Sequence, residues 1–435
     1  MSVINKIMLD INYIRENVEK VKKVTISKQL NSSLVDELLR LDLKRRTLLK
    51  ETEELRAERN IASKNEDIEK GKAVKENLQK NEPELAELEI KFKDILWQIP
   101  NIVSDDTLEG KDESVNKPIR KWGTPKKFDF EPKDHLILGE SLGVIDTITA
   151  SKISGSRFGY LKGDLALMQF ALIQFALGVL TDEKILKEIA DKVETGYSAK
   201  TFIPIIPPVF IKPDIFERMA RLNPKEDRYY IPTDDLYLIG SAEHTLGPMH
   251  MDETLNEKDM PKRYVGYSTS FRREAGSYGK DTKGILRVHQ FDKLEIESFT
   301  TKEDSIKEQD FIIGIQEYLM QKLEIPYQVV SICTGDMGKP DFRQMDIESW
   351  MPGEGKYRET QTSDLMTDYQ ARRLGTKVRR AGGENEFAHM NDATVFAIGR
   401  TIIAIMENYQ NEDGSITIPK VLQKWMGKEK IERDE

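Results

Sequence analysis

The sequence predicts an α+β protein in which an antiparallel β-sheet flanked by helices follows a long antiparallel helical hairpin at the N-terminus. Two observations support this prediction. Residues 1–100 contain 39 charged side chains, one glycine and three aromatic residues, whereas residues 101–435 contain 26 of the 27 glycines. Beyond residue 200, strand-like runs follow one another with few helices between them, which is typical of an antiparallel sheet.

Apolar residues at heptad spacing predict the hairpin. The first half carries Leu34, Leu38, Leu41, Leu48, Leu55 and Ala62, and the second carries Val74, Leu78, Leu85, Leu88, Phe92, Ile95 and Ile99. Arg45 and Thr52 interrupt the companion register of the first half. Two such helices pair across a turn near Ser63–Asp67 into an antiparallel coiled coil over about residues 30–98, which Pro100 ends.

The charge of the hairpin permits two interpretations. Ten basic residues crowd its middle and tip, namely Lys44, Arg45, Arg46, Lys50, Arg56, Arg59, Lys64, Lys70, Lys72 and Lys75. Interleaved glutamates fit a solvated, ion-paired face, and the hairpin would then be a dimerisation coiled coil. The alternative is an arm that binds a large polyanion. The charge pattern alone leaves both open.

After the hairpin the chain divides into a short connection and a globular body. We expect an N-terminal domain over residues 1–105, a polar linker over residues 106–130 and a second domain over residues 131–435. Asp164–Glu194 predicts a long helix whose apolar face packs in the core or a dimer interface. Phe202–Lys212 is strand-like but holds three prolines, so it belongs at a sheet edge or subunit boundary. Thr394–Tyr409 predicts an apolar helix.

The strands of the predicted sheet come from six further segments. They are Leu236–Ile239, Tyr264–Phe271, Leu286–Phe299, Tyr327–Ile332, Arg343–Trp350 and Arg358–Thr362. Each contains β-branched or aromatic residues, which favour strands.

Composition excludes several classes of protein. A single cysteine, Cys333, cannot form an internal disulfide or a cysteine-rich zinc site, and the five histidines show no zinc spacing. The charged N-terminus shows no secretory signal, and the apolar stretch Leu165–Leu180 is too short for a bilayer. We therefore expect a soluble, cytoplasmic protein with no membrane partner. A net charge of −9 argues against DNA as a partner.

The segment Ser270–Phe299 carries the most informative chemistry. One strand supplies Arg272, Arg273 and Glu274, a loop with Gly276, Gly279 and Gly284 follows, and a second strand supplies Arg287, Phe291, Lys293 and Glu295. Alternate residues share a sheet face, so a phosphate-binding guanidinium, a carboxylate acceptor and a stacking ring would lie together. This set suits a nucleotide. Cross-strand ion pairing is the alternative explanation.

The set of motifs, and their order along the chain, resembles that of class II aminoacyl-tRNA synthetases. Within that class the resemblance is to the seryl-tRNA synthetases of bacterial type, which lack zinc. The matching segments are LDINYIREN and the heptad hairpin, Phe202–Pro208 with Pro207 (motif 1), SAEHT, FRREAGSYGKDTKGILRVHQF (motif 2), CTGD, YRETQT, DYQARR and FAIGRTIIAIMENYQ (motif 3). The resemblance covers nearly the whole chain. It implies the class II antiparallel sheet and identifies the hairpin as a tRNA-binding arm.

The resemblance also implies residue roles. ATP would contact Arg272, Arg273, Glu274, Arg287, Val288, Phe291, Glu359, Thr360, Gln361, Thr362 and Arg400, with Arg272 at the α-phosphate, Glu274 at the adenine amino group, and Arg400 over the adenine near the γ-phosphate. Arg272 and Arg400 would be the catalytic residues, and Glu359 and Thr362 would hold Mg²⁺. Serine would contact Ser241, Ala242, Glu243, Glu295 and Thr394.

The implied reaction is serine–tRNA ligation. L-Serine and ATP would form seryl-adenylate, and the seryl group would pass to the 3′ end of tRNA(Ser), with tRNA(Sec) as a second candidate. The resemblance further implies a homodimer in which the arm of one subunit serves the active site of the other.

The sequence departs from the family at three positions. Ser241 replaces the commoner Thr, Thr362 replaces Ser, and Asn391-Asp392 stand where Leu-Asn is usual. Asp392 would add negative charge near the serine site unless it turns outward or pairs with an arginine. The sequence leaves these two arrangements open.

Three rival functions compete with ligation. An amino-acid:carrier-protein ligase would lack the full arm, which this chain keeps. A non-catalytic binding protein draws support only from Asp392, and a purely structural coiled coil explains nothing after residue 100.

Overall fold

A computed structural model describes residues 10–275 and 283–433 of the chain. The predicted loop residues Gly276 and Gly279, and Leu9 of the N-terminal motif, lie outside the described residues. The helices are α1 (Ile11–Glu16), α2 (Val18–Ser27), α3 (Ser33–Lys64), α4 (Ile68–Leu96), α5 (His135–Ser141), α6 (Thr147–Ser154), α7 (Asp164–Leu180), α8 (Glu183–Val193), α9 (Pro213–Arg218), α10 (Glu243–Leu246), α11 (Ser305–Lys322), α12 (Tyr369–Leu374), α13 (Ile398–Asn408) and α14 (Lys420–Met426).

The strands are β1 (Lys117–Trp122), β2 (Ile145–Asp146), β3 (Tyr160–Leu161), β4 (Ile203–Ile205), β5 (Phe210–Ile211), β6 (Tyr230–Ile231), β7 (Leu236–Leu238), β8 (Thr254–Asn256), β9 (Lys262–Phe271), β10 (Gln290–Thr300), β11 (Tyr327–Ser331), β12 (Arg343–Met351), β13 (Lys356–Thr367), β14 (Lys377–Arg379), β15 (Asn385–Phe387), β16 (His389–Ala397), β17 (Ile416–Thr417) and β18 (Lys430–Ile431). Five of the six further strand segments predicted from the sequence lie in one sheet, whereas Leu236–Leu238 pairs with Phe210–Ile211 and Tyr230–Ile231 in a separate three-stranded sheet, contrary to the prediction.

Helices α3 and α4 form the predicted antiparallel hairpin, which confirms the coiled-coil arm. At 1.5 Å per residue the 32-residue helix α3 is about 48 Å long. Leu38, Leu41, Ala62, Val74, Leu78 and Leu85 are buried along the seam. The two interrupting residues are also accommodated, since the Thr52 hydroxyl donates to the carbonyl of Leu48 (2.7 Å) and the Arg45 guanidinium lies 4.7 Å from the centre of the Phe92 ring.

An eight-stranded sheet forms the body, in the order β1-β11-β12-β13-β16-β10-β9-β4. Every neighbouring pair is antiparallel except β4 with β9. Strand β4 holds Pro204 at the sheet edge, where the prolines of this segment were predicted to lie, because an edge strand leaves backbone groups unpaired. The α+β prediction is confirmed.

Several segments differ from their predicted secondary structure. Arg272–Glu274 follow β9, which ends at Phe271, and Leu286–His289 precede β10, which begins at Gln290, so neither set lies on the predicted strands. The expected linker contains β1, whose six side chains are all exposed, so that no apolar alternation marks it as a strand. The expected helix Asp164–Glu194 is two helices that meet at 67°, because Asp182 caps α8 by accepting from the amides of Lys184 and Ile185. Thr394–Ala397 belongs to β16, and only the residues from Ile398 onward are helical.

The main core lies between the sheet and helices that include α7, α11 and α13. Leu294 and Ile296 on β10 point into this core, whereas Lys293 and Glu295 alternate onto the opposite face. Among the described residues no single helix is long and apolar enough to span a membrane, although the bent pair α7 and α8 would meet that test together.

A buried ion pair ties the segment before β4 to the sheet and to α11. Arg263 on β9 donates from Nε to Glu308 Oε1 and from Nη2 to Oε2, both at 2.7 Å. Its Nη1 donates to the carbonyls of Ser198 and Lys200. The Tyr197 hydroxyl donates to Glu308 as well (2.6 Å). The Arg263 guanidinium therefore holds the segment that precedes β4 against the sheet.

Replacing Glu308 with glutamine is expected to lower the free energy of unfolding by about 3 kcal/mol, because it leaves the buried Arg263 without a counter-charge. Glu317→Gln on the same helix is the matched control. Glu317 pairs with the half-exposed Arg120 at 2.6 Å, so its loss should cost about 0.2–1 kcal/mol. Urea denaturation measures both changes, and equal losses in the two variants would contradict the prediction.

Candidate active site

A cavity of about 260 Å³ opens on the sheet face that carries Lys293. Ten of the residues proposed from sequence line it, namely Glu243, Arg272, Glu274, Arg287, Val288, Phe291, Glu359, Thr362, Thr394 and Arg400. They come from β10, β13, β16, α10 and α13 and from the chain that follows β9. The antiparallel sheet thus gathers segments more than 150 residues apart into one site.

Arg272 and Phe291 form one end of the cavity. Strand β9 ends at Phe271, and Arg272 continues the pairing through its amide, which donates to the carbonyl of His289 (3.0 Å). Its Nε donates to the carbonyl of Gly240 (3.1 Å), and its guanidinium lies 5.4 Å from the centre of the Phe291 ring. The side chain is therefore held in one orientation beside an aromatic face.

Two further cavity arginines, Arg287 and Arg400, are each paired with a carboxylate. Arg287 Nη1 donates to Glu274 Oε2 (2.6 Å). Arg400 Nη1 lies 2.9 Å from Glu359 Oε1 and donates to the Glu359 carbonyl (3.0 Å). The charges of these two guanidinium groups are thus balanced within the protein. A phosphate-bearing ligand would exchange these contacts for charge-assisted bonds of its own.

The other end of the cavity is built around Lys293. Its ammonium lies 2.8 Å from Glu295 Oε2 and donates to the Ser241 hydroxyl (3.1 Å), which in turn donates to Glu243 Oε2 (2.8 Å). The Thr394 hydroxyl donates to Glu295 at 3.5 Å. Ala242, also predicted at this end, is fully buried. This end offers carboxylates and hydroxyls, the partners that an ammonium and an alcohol require.

The surroundings of the two glutamates at this end shift their pKa values in opposite directions. Burial raises the pKa of the Glu295 carboxyl to about 8, against the attraction of the Lys293 ammonium and with the repulsion of Glu243 and Asp392. Glu243 is buried too, but the cations of Lys293 and Arg221 hold its pKa below the ordinary value for a carboxyl group. Glu243 is therefore ionised at neutral pH, while Glu295 is mostly protonated.

Both proposed magnesium ligands line the same cavity. Glu359 and Thr362 line the cavity from β13, and the Thr362 hydroxyl lies 3.1 Å from that of Thr394. Gln344, which also lines the cavity, has a buried side-chain oxygen that forms no hydrogen bond with any described residue. Carboxylate, hydroxyl and amide oxygens are the ligands of a hard cation, so the residues present fit Mg²⁺.

Three other residues of the predicted ATP site lie away from the cavity. Arg273 turns to the ring of Tyr229, 5.3 Å from its centre. The Thr360 hydroxyl lies 2.8 Å from that of Ser349, and the Gln361 amide donates to the carbonyl of Val395 (2.7 Å). Thr360 and Gln361 are fully buried. The pairing of β12 with β13 shifts register beside Thr360, so proximity in sequence to Glu359 does not carry them into the site.

The structure also adds cavity residues that had no predicted role. The polar ones are Arg221, Lys293, Gln344 and Asp364. Period-two alternation along β10 and β13 places Lys293 with Phe291 and Asp364 with Thr362, so that signal was available. Arg221 follows α9 in an irregular segment and had no such signal. It also decides between the two arrangements of Asp392, because Arg221 Nη2 donates to Asp392 Oδ2 at 2.9 Å.

Comparisons with known proteins agree along nearly the whole chain. Residues 8–103 match the family described as the seryl-tRNA synthetase N-terminal domain, and residues 228–409 match the class II tRNA synthetase core domain (G, H, P, S and T). The serine–tRNA ligase of Dictyoglomus turgidum is 41% identical over 97% of this chain and 98% of its own. The serine–tRNA ligase of Pyrococcus horikoshii is 42% identical over 98% and 97%.

Two solved structures share the fold. The crystal structure of the Pyrococcus horikoshii seryl-tRNA synthetase complexed with ATP superposes with a TM-score of 0.89, at 40% identity over 98% of this chain and all of that chain. The cytoplasmic serine–tRNA ligase of Naegleria fowleri, in complex with AMP, gives a TM-score of 0.86 at 32% identity over 98% and 99%. Both contain an adenine nucleotide.

Proposed function

The chain belongs to the seryl-tRNA synthetase family, and from that membership we propose how its residues divide the work of the reaction. The activity is serine–tRNA ligation, in which L-serine and ATP form seryl-adenylate and pyrophosphate, and the seryl group then passes to tRNA(Ser) with release of AMP. One observation supports the division most strongly. A single cavity holds an arginine beside an aromatic ring at one end and a buried carboxylate–hydroxyl set at the other.

ATP occupies the Phe291 end in this proposal. Its adenine stacks on Phe291, between that ring and Arg400, and the exocyclic amino group donates to Glu274. Val288 and Arg287 border the nucleotide, while Arg272 binds the α-phosphate. Arg273, Thr360 and Gln361 would act from behind the cavity, through contacts with Tyr229, Ser349 and Val395.

Serine occupies the Lys293 end. Its ammonium meets Glu243 and Glu295, and its hydroxyl meets Glu295 and Thr394, with Ser241 and Ala242 forming the wall. Alanine would leave these buried groups without a partner, which is how a site built for a hydroxyl rejects the analogue that lacks it.

The chemistry needs no protein nucleophile. Held between the two ends, the serine carboxylate attacks the α-phosphorus of ATP, and the terminal ribose hydroxyl of the tRNA later attacks the acyl carbon of the adenylate. The chain contributes position and positive charge through Arg272 and Arg400. Bound Mg²⁺, held by Glu359 and Thr362, would neutralise phosphate charge.

The arm and the quaternary structure complete the proposal. Basic residues of α3 and α4 bind tRNA(Ser), and tRNA(Sec) is a second candidate substrate. A homodimer is supported by an apolar surface on α6, α7 and β4, where Ile148, Ile153, Phe170 and Ile203 are more than half exposed, and by Ile206 just beyond β4. In that dimer the arm of one subunit serves the other's active site. We place the protein in the cytoplasm and propose neither membrane nor DNA as a partner.

Serine-dependent ATP–pyrophosphate exchange tests the function. Exchange is expected with serine and not with alanine, threonine or glycine. Charging of tRNA(Ser) should require residues 30–98, whereas exchange should not. A chain that shows no exchange with serine would contradict the proposal.

Serine activation is expected to depend on pH through Glu295. With a pKa of about 8, its carboxyl is protonated at pH 6 and must lose a proton to bind the serine ammonium. The kcat/KM for serine should therefore rise about tenfold per pH unit between pH 6 and 7.5 and level off above 8. In Glu295→Gln, kcat/KM for serine should no longer depend on pH over this range, and its value should lie below that of the unaltered protein. A flat profile in the unaltered protein would contradict the assignment.

A further inference from the structure

Arg221 and Asp392 form an ion pair in the wall of the serine end of the cavity. The residue before Arg221, Ala220, has a left-handed backbone (φ 57°), and the turn directs the Arg221 side chain into the site. Arg221 Nη2 donates to Asp392 Oδ2 at 2.9 Å, and its Nε lies 3.7 Å from Glu243 Oε1. One guanidinium thus touches a proposed serine ligand and the aspartate that departs from the family pattern.

Asp392 lies in the middle of a row of acids. Its direct cross-strand neighbours are Glu297 on β10 and Asp364 on β13. Asp341, from the chain before β12, reaches within 3.5 Å of the same Arg221 nitrogen. Like charges placed directly opposite each other in a sheet are unfavourable, so this row depends on a cation or on protonation.

Two cations contact the acids at the serine end. Glu243, Glu295 and Asp392 have carboxylate oxygens within 4.8 Å of one another. Lys293 pairs with Glu295 and lies 3.9 Å from Glu243, while Arg221 pairs with Asp392 and reaches Glu243 from the other side. Without Arg221, the carboxylate of Asp392 would compete with Glu243 and Glu295 for Lys293 and for the substrate ammonium.

We propose that Arg221 is a positioning residue for serine activation, which neutralises Asp392 and holds the Glu243 carboxylate where the substrate ammonium binds. This inference rests on the proposed function, because it takes the Glu243 end of the cavity as the serine site. Arg221 acts through Glu243 and Asp392, and it touches no reacting atom. The pair also explains how an aspartate is tolerated at position 392, since the guanidinium balances the negative charge that Asp392 brings.

Serine-dependent ATP–pyrophosphate exchange by the full chain tests the inference. Arg221→Gln should raise the KM for serine about 30-fold and leave the KM for ATP within about twofold. Asp392→Asn should stay within about threefold of the unaltered protein, because it removes the charge that Arg221 balances. The double variant Arg221→Gln/Asp392→Asn should recover most of the loss, as expected for a coupled pair.

The matched control is Arg380→Gln. Like Arg221, Arg380 is surrounded by carboxylates, in its case those of Glu257, Glu303 and Glu386, but it lies outside the cavity lining. Its replacement should leave the KM for serine unchanged. If circular dichroism shows that Arg221→Gln does not fold, Arg221→Lys is used instead. Its KM for serine should rise by less, because lysine keeps the positive charge and loses only the planar guanidinium that contacts both carboxylates.

Several outcomes would overturn the inference. They are a KM for serine within twofold of the unaltered protein in the Arg221 variants, an equal rise in the KM values of serine and ATP, and a double variant whose loss is the product of the single losses. Absence of exchange in the unaltered chain would instead contradict the proposed function and remove the inference with it.

Discussion

Replacing Arg272 with alanine is expected to lower kcat/KM for serine-dependent ATP–pyrophosphate exchange by about 10³-fold, on the scale of removing one preorganised donor from a transition state. The side chain is already oriented, since its Nε is bonded to the Gly240 carbonyl and its plane lies beside Phe291. Its two remaining nitrogens can then bind two phosphate oxygens at once. Arg272→Lys should lower kcat/KM nearly as much, because the lysine ammonium keeps the positive charge but cannot bind two phosphate oxygens in the bidentate manner of a guanidinium.

Variants of two other arginines serve as controls for this prediction. Arg120→Ala, on the exposed strand β1, removes an arginine that pairs with Glu317 and does not line the cavity, so it should leave exchange unchanged. Arg273→Ala should cost less than Arg272→Ala, because Arg273 lies against Tyr229. Exchange reports only the first step, so tRNA binding cannot obscure the comparison. A loss below tenfold in Arg272→Ala would contradict the α-phosphate assignment.

The elements that could be predicted from sequence are those with local periodicity. Heptad leucines such as Leu41 and Leu78 mark the arm, because burial along a helix seam repeats every seven residues. Strands β9 to β13 were visible through apolar and β-branched runs. Strand β1 was not, since its exposed side chains leave no pattern, and its place in the sheet depends on pairing with β11, more than 200 residues away.

In the site, too, local periodicity could be predicted from the sequence and distant contacts could not. Alternation along β10 predicts that Phe291, Lys293 and Glu295 share a face, and the structure brings all three to the cavity or its wall. Contacts between residues far apart in the chain could not be predicted, because no local sequence pattern marks them. The pairing of Arg221 with Asp392 joins residues 171 positions apart, and the sequence could say only that Asp392 needed a partner or an outward turn.

The proposed magnesium ligands illustrate a further limit. Glu359 and Thr362 are three residues apart on one strand, a spacing that regular alternation would place on opposite faces. The register shift between β12 and β13 falls between them, and both reach the cavity. Such an irregularity leaves no local signal. Their shared position was expected only because the YRETQT segment resembles the family motif.

The basic residues of the arm separate into two classes in the structure, which the charge pattern could not distinguish. Arg45 and Arg46 lie within 4.0 Å of Asp42, Arg56 pairs with Glu82 and Lys50 with Glu54. Within residues 10–275 and 283–433, the other six form no ion pair, namely Lys44, Arg59, Lys64, Lys70, Lys72 and Lys75. Five of these six cluster toward the tip, and all six are exposed. They are the side chains available to phosphates.

Replacing these five tip residues, Arg59, Lys64, Lys70, Lys72 and Lys75, with alanine is expected to lower kcat/KM for tRNA(Ser) charging by about 10³-fold at physiological salt. The physical reason is that each cation bound to a phosphate releases counterions from the RNA, and alanine releases none. The dependence of log K on log salt should become shallower by about 0.7–0.9 for each phosphate that is no longer neutralised. Alanine preserves the helices, since it is the strongest helix former.

The ion-paired residues provide the matched control. Arg46→Ala/Arg56→Ala removes two arginines from the same helix, but each already has a carboxylate partner, so the salt dependence should change less per residue. ATP–pyrophosphate exchange should be unchanged in both variants, because the cavity lies in the sheet and the tip lies on α3 and α4. If exchange fell as far as charging did, the arm would be supporting the fold of the active site and its assignment as a tRNA-binding surface would be wrong.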